Sequence, residues 1–295
     1  MSNGLQSDPK QPVLWLNGRL MPVAAVRIDP ADRGWTLGDG VFETIYCPEG
    51  RPAHLDAHLD RFAEGAMVLA IPLPLTLAGI ALALASTLAA NLDTNLDTDR
   101  TGAAVVRLTL TRGVGPRGLL PPPLSASLPT LLITSTLVTG VAVTAPLGLS
   151  VIIATVTRRN EMSPLARIKS LNYLDGVLAR IEAGSRGADD AILLNTKGLV
   201  AEATASNLLA VFGGRLVTPP VADGALPGIQ RRAILDKAGA CEASLSVSDL
   251  LRADEVISCN SLGLHPLVSI DGHPVGTGAP GRVFARLASM GLHLD

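Results

Sequence analysis

Residues 167–180 read RIKSLNYLDGVLAR, and this stretch decides how the rest of the chain is interpreted. Lys169 stands between apolar neighbours at the end of a predicted strand, directly before a predicted helix from Asn172 to Arg186. Four residues of that helix recur at helical spacing and form its apolar face: Leu174, Val177, Leu178 and Ile181. A lysine at such a junction is either an ordinary, partly exposed side chain or a desolvated amine. Desolvation lowers the pKa of a lysine and makes it a nucleophile that forms Schiff bases.

Lysine is scarce in this chain, which narrows the search for a reactive amine. Of the 24 lysines and arginines only four are lysines, at positions 10, 169, 197 and 237. Lys10 lies in a polar tail, Lys197 in a predicted hairpin turn, and Lys237 late in a predicted helix. Lysines in turns and near helix C-termini are normally solvated. Lys169 is therefore the candidate for chemistry.

Length and charge argue against a nucleic-acid partner. A chain of 295 residues is long enough for one or two domains with a sizeable buried core. The formal charge is −2, and only eight residues are aromatic (two Trp, two Tyr and four Phe). Such a chain offers neither the clustered cations that neutralise phosphates nor the rings that stack on bases.

The cysteines and the N-terminus favour a cytoplasmic protein. Cys47, Cys241 and Cys259 are odd in number, far apart and without metal-ligand spacing, so we expect reduced thiols and no metal site. The first residues, MSNGLQSDPKQP, are polar and lack the apolar core of a secretory signal. The uncharged stretch from Leu75 to Leu92 approaches membrane-span length, but it is rich in alanine and contains polar side chains. We predict a buried helix there and no membrane span.

The apolar pattern divides the chain into two parts. We expect a disordered tail at 1–11, a first domain at 12–140 and a second domain at 149–295, with a loop at 91–102 and a boundary where composition shifts at 139–149. The first part holds strand-like stretches (VLWLNGRLMP, AAVRIDP, VFETIYC) and a helix whose apolar face carries Leu55, Leu59, Phe62 and Ala66. The second part holds a meander of hairpins after residue 191. Strands and helices do not alternate regularly, so the fold class is α+β and a doubly wound nucleotide-binding fold is disfavoured.

Several motifs, in order along the chain, give it a family resemblance. They are WLNGRLMP, DRGWTLGDGVFET, HLDRF, RIKSLNYLDGVLAR, GLVAEATASNLLAV, LVTPP, GALPGIQR and ADEVISCNS. With them the chain resembles the class IV, fold type IV, pyridoxal-phosphate enzymes over about residues 12–290. These include branched-chain aminotransferases, D-amino-acid aminotransferases and 4-amino-4-deoxychorismate lyases. The resemblance implies a small N-terminal α/β domain and a larger C-terminal domain built on a strand-rich barrel.

The resemblance assigns roles to three residues near the ring of pyridoxal 5′-phosphate. Lys169 would form the Schiff base with the cofactor and then act as the general acid and base. Glu202, in VAEAT, would hold a proton on the pyridine nitrogen and so make the ring a strong electron sink. Tyr173, four residues after the lysine, would hydrogen-bond the cofactor or line the site.

The resemblance also assigns a phosphate site. Arg61, in HLDRF, would pair with the cofactor phosphate. Ile229 and Gln230 would offer backbone N–H groups at the start of a helix, where free amides suit a dianion. Ser261 would add a hydroxyl, although its loop, NSLGLHP, is one residue shorter than the family pattern.

The reaction stays open between two members of the class. The segment TRGVGPRGLLPPP and the run CNS at 259–261 are similar to aminodeoxychorismate lyases, which form 4-aminobenzoate and pyruvate in the folate pathway. The tail SIDGHPVGTGAPG is similar to transaminases. By a narrow margin we expect a lyase, with a D-amino-acid or branched-chain aminotransferase as the alternative and a non-catalytic cofactor-binding protein as a remote one.

Two further residues are candidates for contact with an amino-carboxylate substrate. Arg117 lies where D-amino-acid aminotransferases have a carboxylate-binding arginine, and a guanidinium pairs well with a carboxylate. Glu43, in the FET run, is common to both enzyme groups. The resemblance further implies a homodimer.

Overall fold

The fold is taken from a computed structural model that describes residues 11–92, 102–126, 128–138 and 148–292. These residues divide into two compact units, one ending at residue 138 and the other beginning at residue 148. Most of the predicted tail at 1–11, of the predicted loop at 91–102 and of the predicted boundary at 139–149 lies outside the described residues. Each unit is described by itself.

The first unit contains five strands and three α-helices among its described residues. In chain order they are β1 (Val13–Leu16), β2 (Arg19–Pro22), α1 (Arg33–Leu37), β3 (Gly40–Cys47), α2 (Leu55–Val68), α3 (Leu77–Leu92), β4 (Ala104–Thr111) and β5 (Thr130–Leu137). The strands form an antiparallel sheet in the order β2-β1-β5-β4-β3. Helix α2 packs against β3, and α3 packs against β1 and β5.

The sheet of the first unit buries alternate side chains, as a half-covered sheet must. Along β4 the buried positions are Ala104, Val106, Leu108 and Leu110, and their partners on β3 are Cys47, Ile45, Glu43 and Val41. Glu43 is therefore the one carboxylate among those eight side chains. The expected strand in AAVRIDP does not form: residues 23–25 make a short 3-10 turn, and most of the segment is exposed. No strand of the described residues pairs with it.

The predicted helix at 75–92 is α3, which begins at Leu77. Its buried face carries Ile80, Ala83, Leu84, Thr87, Leu88 and Asn91, while Leu82 on the other face is 70% exposed. Within the described residues no helix has the length and apolar character needed to cross a bilayer.

The second unit contains nine strands and four α-helices among its described residues. In chain order they are β6 (Leu149–Ile153), α4 (Leu174–Ser185), β7 (Asp190–Leu194), β8 (Val200–Ala203), β9 (Asn207–Phe212), β10 (Arg215–Thr218), α5 (Ile229–Ala238), β11 (Cys241–Glu242), α6 (Val247–Arg252), β12 (Glu255–Asn260), β13 (Gly263–Ile270), β14 (His273–Pro274) and α7 (Arg282–Ser289). One mixed sheet joins the strands in the order β11-β10-β9-β12-β13-β6-β7-β8, with β14 added to β13. The expected α+β class, with a small α/β domain and a strand-rich second domain, is confirmed.

Helix α4 contradicts the apolar face predicted for it. Leu174, Val177, Leu178 and Ile181 are 48–75% exposed, whereas the buried positions are Ala179 and Ala183. The small side chains let the helix lie close to β7, and a Cβ atom added to Gly176 would come 2.9 Å from the carbonyl oxygen of Thr204. The face of α4 with small side chains therefore packs against the sheet, and the leucine-rich face lies at the surface.

Candidate active site

Lys169 and Tyr173 lie at the start of α4. Lys169 follows a 3-10 turn at Pro164–Arg167, and Tyr173 is the residue that caps the helix. Both side chains are half-buried. The Lys169 Nζ atom donates a hydrogen bond to the Tyr173 hydroxyl over 3.1 Å. The two residues that the sequence placed four apart are therefore in contact at their functional atoms.

Glu202 lies on β8 with 8% exposure, and both of its carboxylate oxygens are engaged. Oε1 is 2.9 Å from an Nη2 atom of Arg159. Oε2 accepts a hydrogen bond from the backbone N–H of Leu226 over 2.9 Å, and the Asn207 side-chain amide lies 3.5 Å from it. These contacts on both oxygens fix the orientation of the Glu202 carboxylate.

The beginning of α5 has the properties of an anion site. Its N-cap, Gly228, provides no side-chain cap, so the first amides of the helix are left for another acceptor. Gln230 is 2% exposed, yet neither its side-chain nitrogen nor its side-chain oxygen has a partner among the described residues. A Cβ atom on Gly228 would come 1.9 Å from the Asn207 side-chain oxygen, so any larger residue there would have to displace that side chain. Uncapped amides and an unsatisfied buried amide suit the phosphate of pyridoxal phosphate.

Ser261 occupies the two-residue turn between β12 and β13, where Asn260 pairs with Gly263. The Asn260 side chain accepts a hydrogen bond from Leu262 N–H over 2.9 Å and donates one to the Ser206 hydroxyl over 3.0 Å. The turn is thereby tied to the segment that follows β8. The role of Ser261 at the phosphate stays a prediction.

In the first unit, Arg61 and Glu43 form a buried cluster with His58. Arg61 donates from Nε and Nη2 to the two carboxylate oxygens of Glu43, each over 2.7 Å. His58 Nδ1 lies 2.8 Å from Glu43 Oε2. The three side chains are 8%, 0% and 1% exposed. The sequence analysis missed His58, although its position three residues before Arg61 on one helix face was a usable signal.

The charges of this cluster follow from its contacts. Burial works against ionisation of Glu43, but the hydrogen bond from His58 and the charge of Arg61 outweigh it and lower the pKa of Glu43 to about 2. Burial lowers the pKa of His58 below 6.5. At neutral pH the carboxylate is therefore ionised and the imidazole neutral. Because a carboxylate only accepts hydrogen bonds, the imidazole carries its proton on Nδ1.

The loop that carries Arg117 is held by its backbone. Arg33 donates to the carbonyl oxygens of Pro116, Gly118 and Leu119 and also to Asp39. Asp39 in turn accepts from Arg112, which donates to the carbonyl oxygens of Leu69 and Ala70. The exposed Arg117 lines an open cleft of about 420 Å³ with Pro30, Ala31, Thr36, Leu37, Gly115, Pro116 and Gly118.

The predicted site residues therefore fall into two groups. Lys169, Tyr173, Glu202, Ile229, Gln230 and Ser261 belong to the second unit, while Glu43, Arg61 and Arg117 belong to the first. Sequence reasoning missed Arg159, Asn207 and Arg33, which act on site residues or on their backbone. Arg33 and Asn207 lie within the motifs DRGWTLGDGVFET and GLVAEATASNLLAV, but the resemblance gave neither of them a role. No quoted motif contains Arg159, whose partners lie seven to 65 residues away in the chain. Among the described residues no group of three or more His, Cys, Asp or Glu side chains could hold a metal ion.

The sequence is similar to a family model and to several known proteins. A sequence model described as Amino-transferase class IV matches residues 40–270. A Methanocaldococcus jannaschii protein named "Putative branched-chain-amino-acid aminotransferase" is 33% identical over 93% of each chain. The D-alanine aminotransferase of Bacillus licheniformis is 33% identical over 90% of each chain. The aminodeoxychorismate lyase of Bacillus subtilis is 29% identical over 88% of this chain and 87% of the relative.

Solved structures of branched-chain aminotransferases share the fold of this chain. The branched-chain amino acid aminotransferase of Escherichia coli superposes with a TM-score of 0.85 over 94% of this chain and 92% of that chain, at 25% identity. A second branched-chain amino acid aminotransferase, whose structure was solved with pyridoxamine 5′-phosphate, shares the fold with a TM-score of 0.85 at 24% identity over 96% of this chain and 93% of that chain.

These relatives reverse the order of the two reactions considered from the sequence. The motifs put the lyase first, but the aminotransferase alternative fits the comparisons better. The expected cofactor is confirmed with the family. The second unit contains a lysine, a buried carboxylate and an uncapped helix whose chemistry suits it. The chain belongs to the class IV aminotransferase family and is an enzyme that depends on pyridoxal phosphate.

Proposed function

We propose that the protein is an aminotransferase that takes the amino group from a branched-chain or similarly apolar amino acid and delivers it to a 2-oxo acid. The observation that carries the proposal is the contact between the Lys169 amine and the Tyr173 hydroxyl in the unit that also holds the buried Glu202. The branched-chain names among the relatives support the choice of substrate. So do Leu119 and Leu120, each 84% exposed beside Arg117.

The residues of the second unit would divide the work as follows. Pyridoxal phosphate, when bound to Lys169, supplies the carbon that exchanges amino groups and a ring that withdraws electrons from the substrate. The free Lys169 amine would remove the Cα proton of the substrate. Tyr173 would orient that amine through its hydroxyl. Glu202 would hold the ring nitrogen by accepting its hydrogen bond and would favour its protonated form.

The phosphate would be held by the start of α5. The backbone N–H groups of Ile229 and Gln230 and the unpartnered side chain of Gln230 would bind its oxygens, with Ser261 adding its hydroxyl. Arg61 would add a positive charge. Two of the Arg61 nitrogens already bond Glu43, so the same carboxylate would fix the plane of the guanidinium.

For substrate recognition we propose that Arg117 pairs with the substrate carboxylate. Its side chain is exposed, and the backbone around it is held by Arg33. Glu43 as a substrate contact also stays a proposal, but its zero exposure and its bonds to Arg61 and His58 support a role in holding Arg61 instead.

The lyase is the second candidate. The CNS run at 259–261 supports it, and so does the relative from Bacillus subtilis. In that reaction the same residues would bind the substrate and remove its Cα proton, and pyruvate would then leave.

A substrate panel tests the proposal. The holoenzyme is offered L-leucine, L-valine, L-isoleucine or D-alanine with 2-oxoglutarate and, separately, aminodeoxychorismate. We expect glutamate from the branched-chain donors, and none from the Lys169→Ala variant. Lys197→Ala, which removes a lysine in a hairpin turn, serves as the matched control and should keep full activity. Formation of 4-aminobenzoate and pyruvate without glutamate from any donor would establish the lyase instead.

We further propose that the protein is a homodimer. Four apolar side chains form an exposed stripe on α4, and an exposed apolar patch of this kind is typical of a protein–protein interface (Leu174, Val177, Leu178 and Ile181). Light scattering coupled to size-exclusion chromatography should give twice the mass of 30.5 kDa. Leu178→Glu should shift the mass towards the monomer, whereas Leu82→Glu, at an exposed leucine of α3, should not. A wild-type monomer would contradict the proposal.

A cytoplasmic location also remains a proposal. All three cysteines are free thiols, as expected in a reducing compartment. Cell fractionation with an antibody against the protein tests it, and recovery in an exported fraction would contradict it.

A further inference from the structure

We propose that Arg159 is a positioning residue of the cofactor site, which holds the carboxylate of Glu202 and the backbone near Lys169 with one guanidinium group. The inference rests on the proposed function in taking Lys169 and Glu202 as the residues that meet the cofactor. It concerns a residue that no motif of the sequence pointed to, and all of its contacts described below lie within the second unit.

The guanidinium of Arg159 joins three segments. Its Nη2 atom lies 2.9 Å from Glu202 Oε1 and donates over 3.1 Å to the carbonyl oxygen of Ala166. Its Nε atom donates over 3.2 Å to the carbonyl oxygen of Gly224. Ala166 is three residues before Lys169, and Gly224 is four residues before the N-cap of α5. One side chain thus connects the lysine segment, the ring carboxylate and the approach to the phosphate site.

Arg159 is itself anchored to the sheet. Its backbone N–H donates to the carbonyl oxygen of Leu194 over 2.9 Å, and it forms a parallel bridge with Asn195 directly after β7. The side chain is 19% exposed. A guanidinium fixed at its base and bonded through two of its nitrogens has a defined plane, which a lysine ammonium at the same place would not have.

The backbone conformation at Gly224 favours glycine. Gly224 has a φ of +99°, which L side chains rarely adopt. A Cβ atom there would lie in ordinary contact with the Cβ atoms of Arg159, at 3.4 Å, and Glu161, at 3.5 Å. The carbonyl oxygen of Gly224 is therefore presented to Arg159 by a backbone that side-chain-bearing residues rarely adopt.

The consequence for Glu202 is a fixed orientation. Arg159 holds one oxygen and Leu226 N–H holds the other, and these two groups come from different segments of the chain. An ionised carboxylate has about four lone-pair positions, more than these contacts occupy, so Glu202 could also accept a hydrogen bond from a ring nitrogen. Without Arg159 the carboxylate would lose its strongest holder and the charge that balances it.

The competing interpretation is a salt bridge that stabilises the fold and nothing more. It predicts that loss of Arg159 lowers the urea midpoint but leaves the cofactor unchanged. The positioning role predicts effects on the cofactor itself, so the test uses binding and absorbance as well as activity.

The test compares Arg159→Gln with Arg158→Gln. Arg158 is the exposed neighbour, and its side chain bonds the carbonyl oxygens of Ala154 and Thr157, away from the residues of the proposed site. Titration of the cofactor-free proteins with pyridoxal phosphate should give a dissociation constant raised about tenfold or more in Arg159→Gln, the effect expected for loss of a charge-assisted hydrogen bond. Arg158→Gln should bind like the wild type. In Arg159→Gln the pH at which the visible band of the bound cofactor changes should also move, and kcat should fall more than KM changes.

Arg159→Lys keeps the test decisive if the glutamine variant is too unstable to purify. A lysine keeps the charge opposite Glu202 but loses the forked guanidinium that reaches both carbonyl oxygens. The affinity of Arg159→Lys for pyridoxal phosphate and the pH response of its visible band should therefore lie between those of the wild type and Arg159→Gln. Wild-type affinity and wild-type pH response in the lysine variant would overturn the proposal, as would a glutamine variant changed only in its urea midpoint. If the wild type itself bound no pyridoxal phosphate, the proposed function would fail rather than the role of Arg159.

Discussion

Glu43 shows how a charge is kept inside an apolar sheet face. The strand register places it between Val41 and Ile45, opposite Leu108, where the alternation of β3 requires an apolar side chain. Removing a carboxylate from water is costly unless it is paired and hydrogen-bonded. Arg61 supplies two bonds and His58 a third, so the cost is offset within the cluster.

Glu43→Gln should therefore destabilise the protein. The buried Arg61 would lose its counter-charge, and breaking a buried pair from one side costs about 3–5 kcal/mol. Urea unfolding at neutral pH measures this. Glu49→Gln is the matched control, because Glu49 pairs with Arg51 at 72% and 82% exposure and such a pair contributes about 1 kcal/mol or less. Equal urea midpoints for the two variants would show that the cluster does not stabilise the fold.

The same cluster should make stability depend on pH. The pKa of His58 lies below its usual 6.5 and that of Glu43 at about 2, below its usual 4.5. In both cases the unfolded chain takes up the proton first as pH falls. Stability should decline below pH 6.5 through His58 and decline further below pH 4.5 through Glu43.

His58→Asn separates the two contributions. Asparagine can still donate a hydrogen bond to Glu43 but does not titrate, so the urea midpoint should fall less between pH 6.5 and 4.5 than in the wild type. Part of that slope will remain, because burial also lowers the pKa of His265. His273→Asn, which replaces an exposed histidine outside the cluster, is the matched control. An unchanged profile in His58→Asn would contradict the expectation.

At the scale of elements, hydrogen bonds from Asn91 tie the last turn of α3 to its sheet. Asn91, 6% exposed, accepts from the backbone N–H of Val13 over 2.9 Å and donates to its carbonyl oxygen over 2.8 Å. It also donates to the Ser135 hydroxyl over 2.7 Å. The last turn of α3 thus completes the hydrogen bonding at the start of β1 and reaches β5.

Asn91→Leu should keep the branched shape of the side chain and lose these bonds. Leaving the backbone groups of Val13 without a partner should lower the free energy of unfolding by about 2–3 kcal/mol. Ser86→Ala is the control, because the exposed Ser86 hydroxyl bonds the carbonyl oxygen of Leu82 in its own helix, and its loss should change stability by about 0.5 kcal/mol or less. Urea unfolding compares the two variants. An Asn91→Leu variant with the free energy of unfolding of the wild type would show that the Asn91 hydrogen bonds do not stabilise the fold.

Helices and strands could be predicted where a local sequence signal was enough to identify them. The meander from β7 to β10 and the position of α5 followed from the sequence, because short apolar runs bounded by turn glycines are local signals. The buried face of α4 did not follow. Periodicity locates an apolar stripe but does not tell whether that stripe or the small side chains opposite it will meet the sheet, and here Ala179 and Ala183 do.

The candidate site was predictable where family motifs mark it. Those motifs named Lys169, and the structure then brought its amine to Tyr173. Arg159 could not be found in this way, since its partners are Ala166, Glu202 and Gly224, at separations in sequence from seven to 65 residues. Such contacts depend on the folded sheet and not on a local pattern.

For the whole molecule, the cysteines offer a probe of each unit. Cys47 in the first unit and Cys259 in the second are 0% and 1% exposed, and burial raises the pKa of each to about 12. Cys241 is exposed. A thiol reagent should label one cysteine in the native protein and all three after unfolding.

In a Cys241→Ser background the remaining thiols should report the two units separately. With Glu43→Gln added, Cys47 should become reactive at a lower urea concentration than Cys259, because the lost cluster lies only in the first unit. Mass spectrometry of labelled peptides measures both sites. Simultaneous labelling at every urea concentration would mean that the units unfold together.

Arg33 holds the loop at 116–119 by hydrogen bonds. This has a consequence for how the enzyme could change its substrate, either in evolution or in the laboratory. The loop is held through the carbonyl oxygens of Pro116, Gly118 and Leu119, which every amino acid possesses. Its path is thus independent of the identity of the exposed side chains at positions 117, 119 and 120. Random libraries at these positions should yield mostly folded variants with new preferences, and natural drift could explore the same space without losing the scaffold.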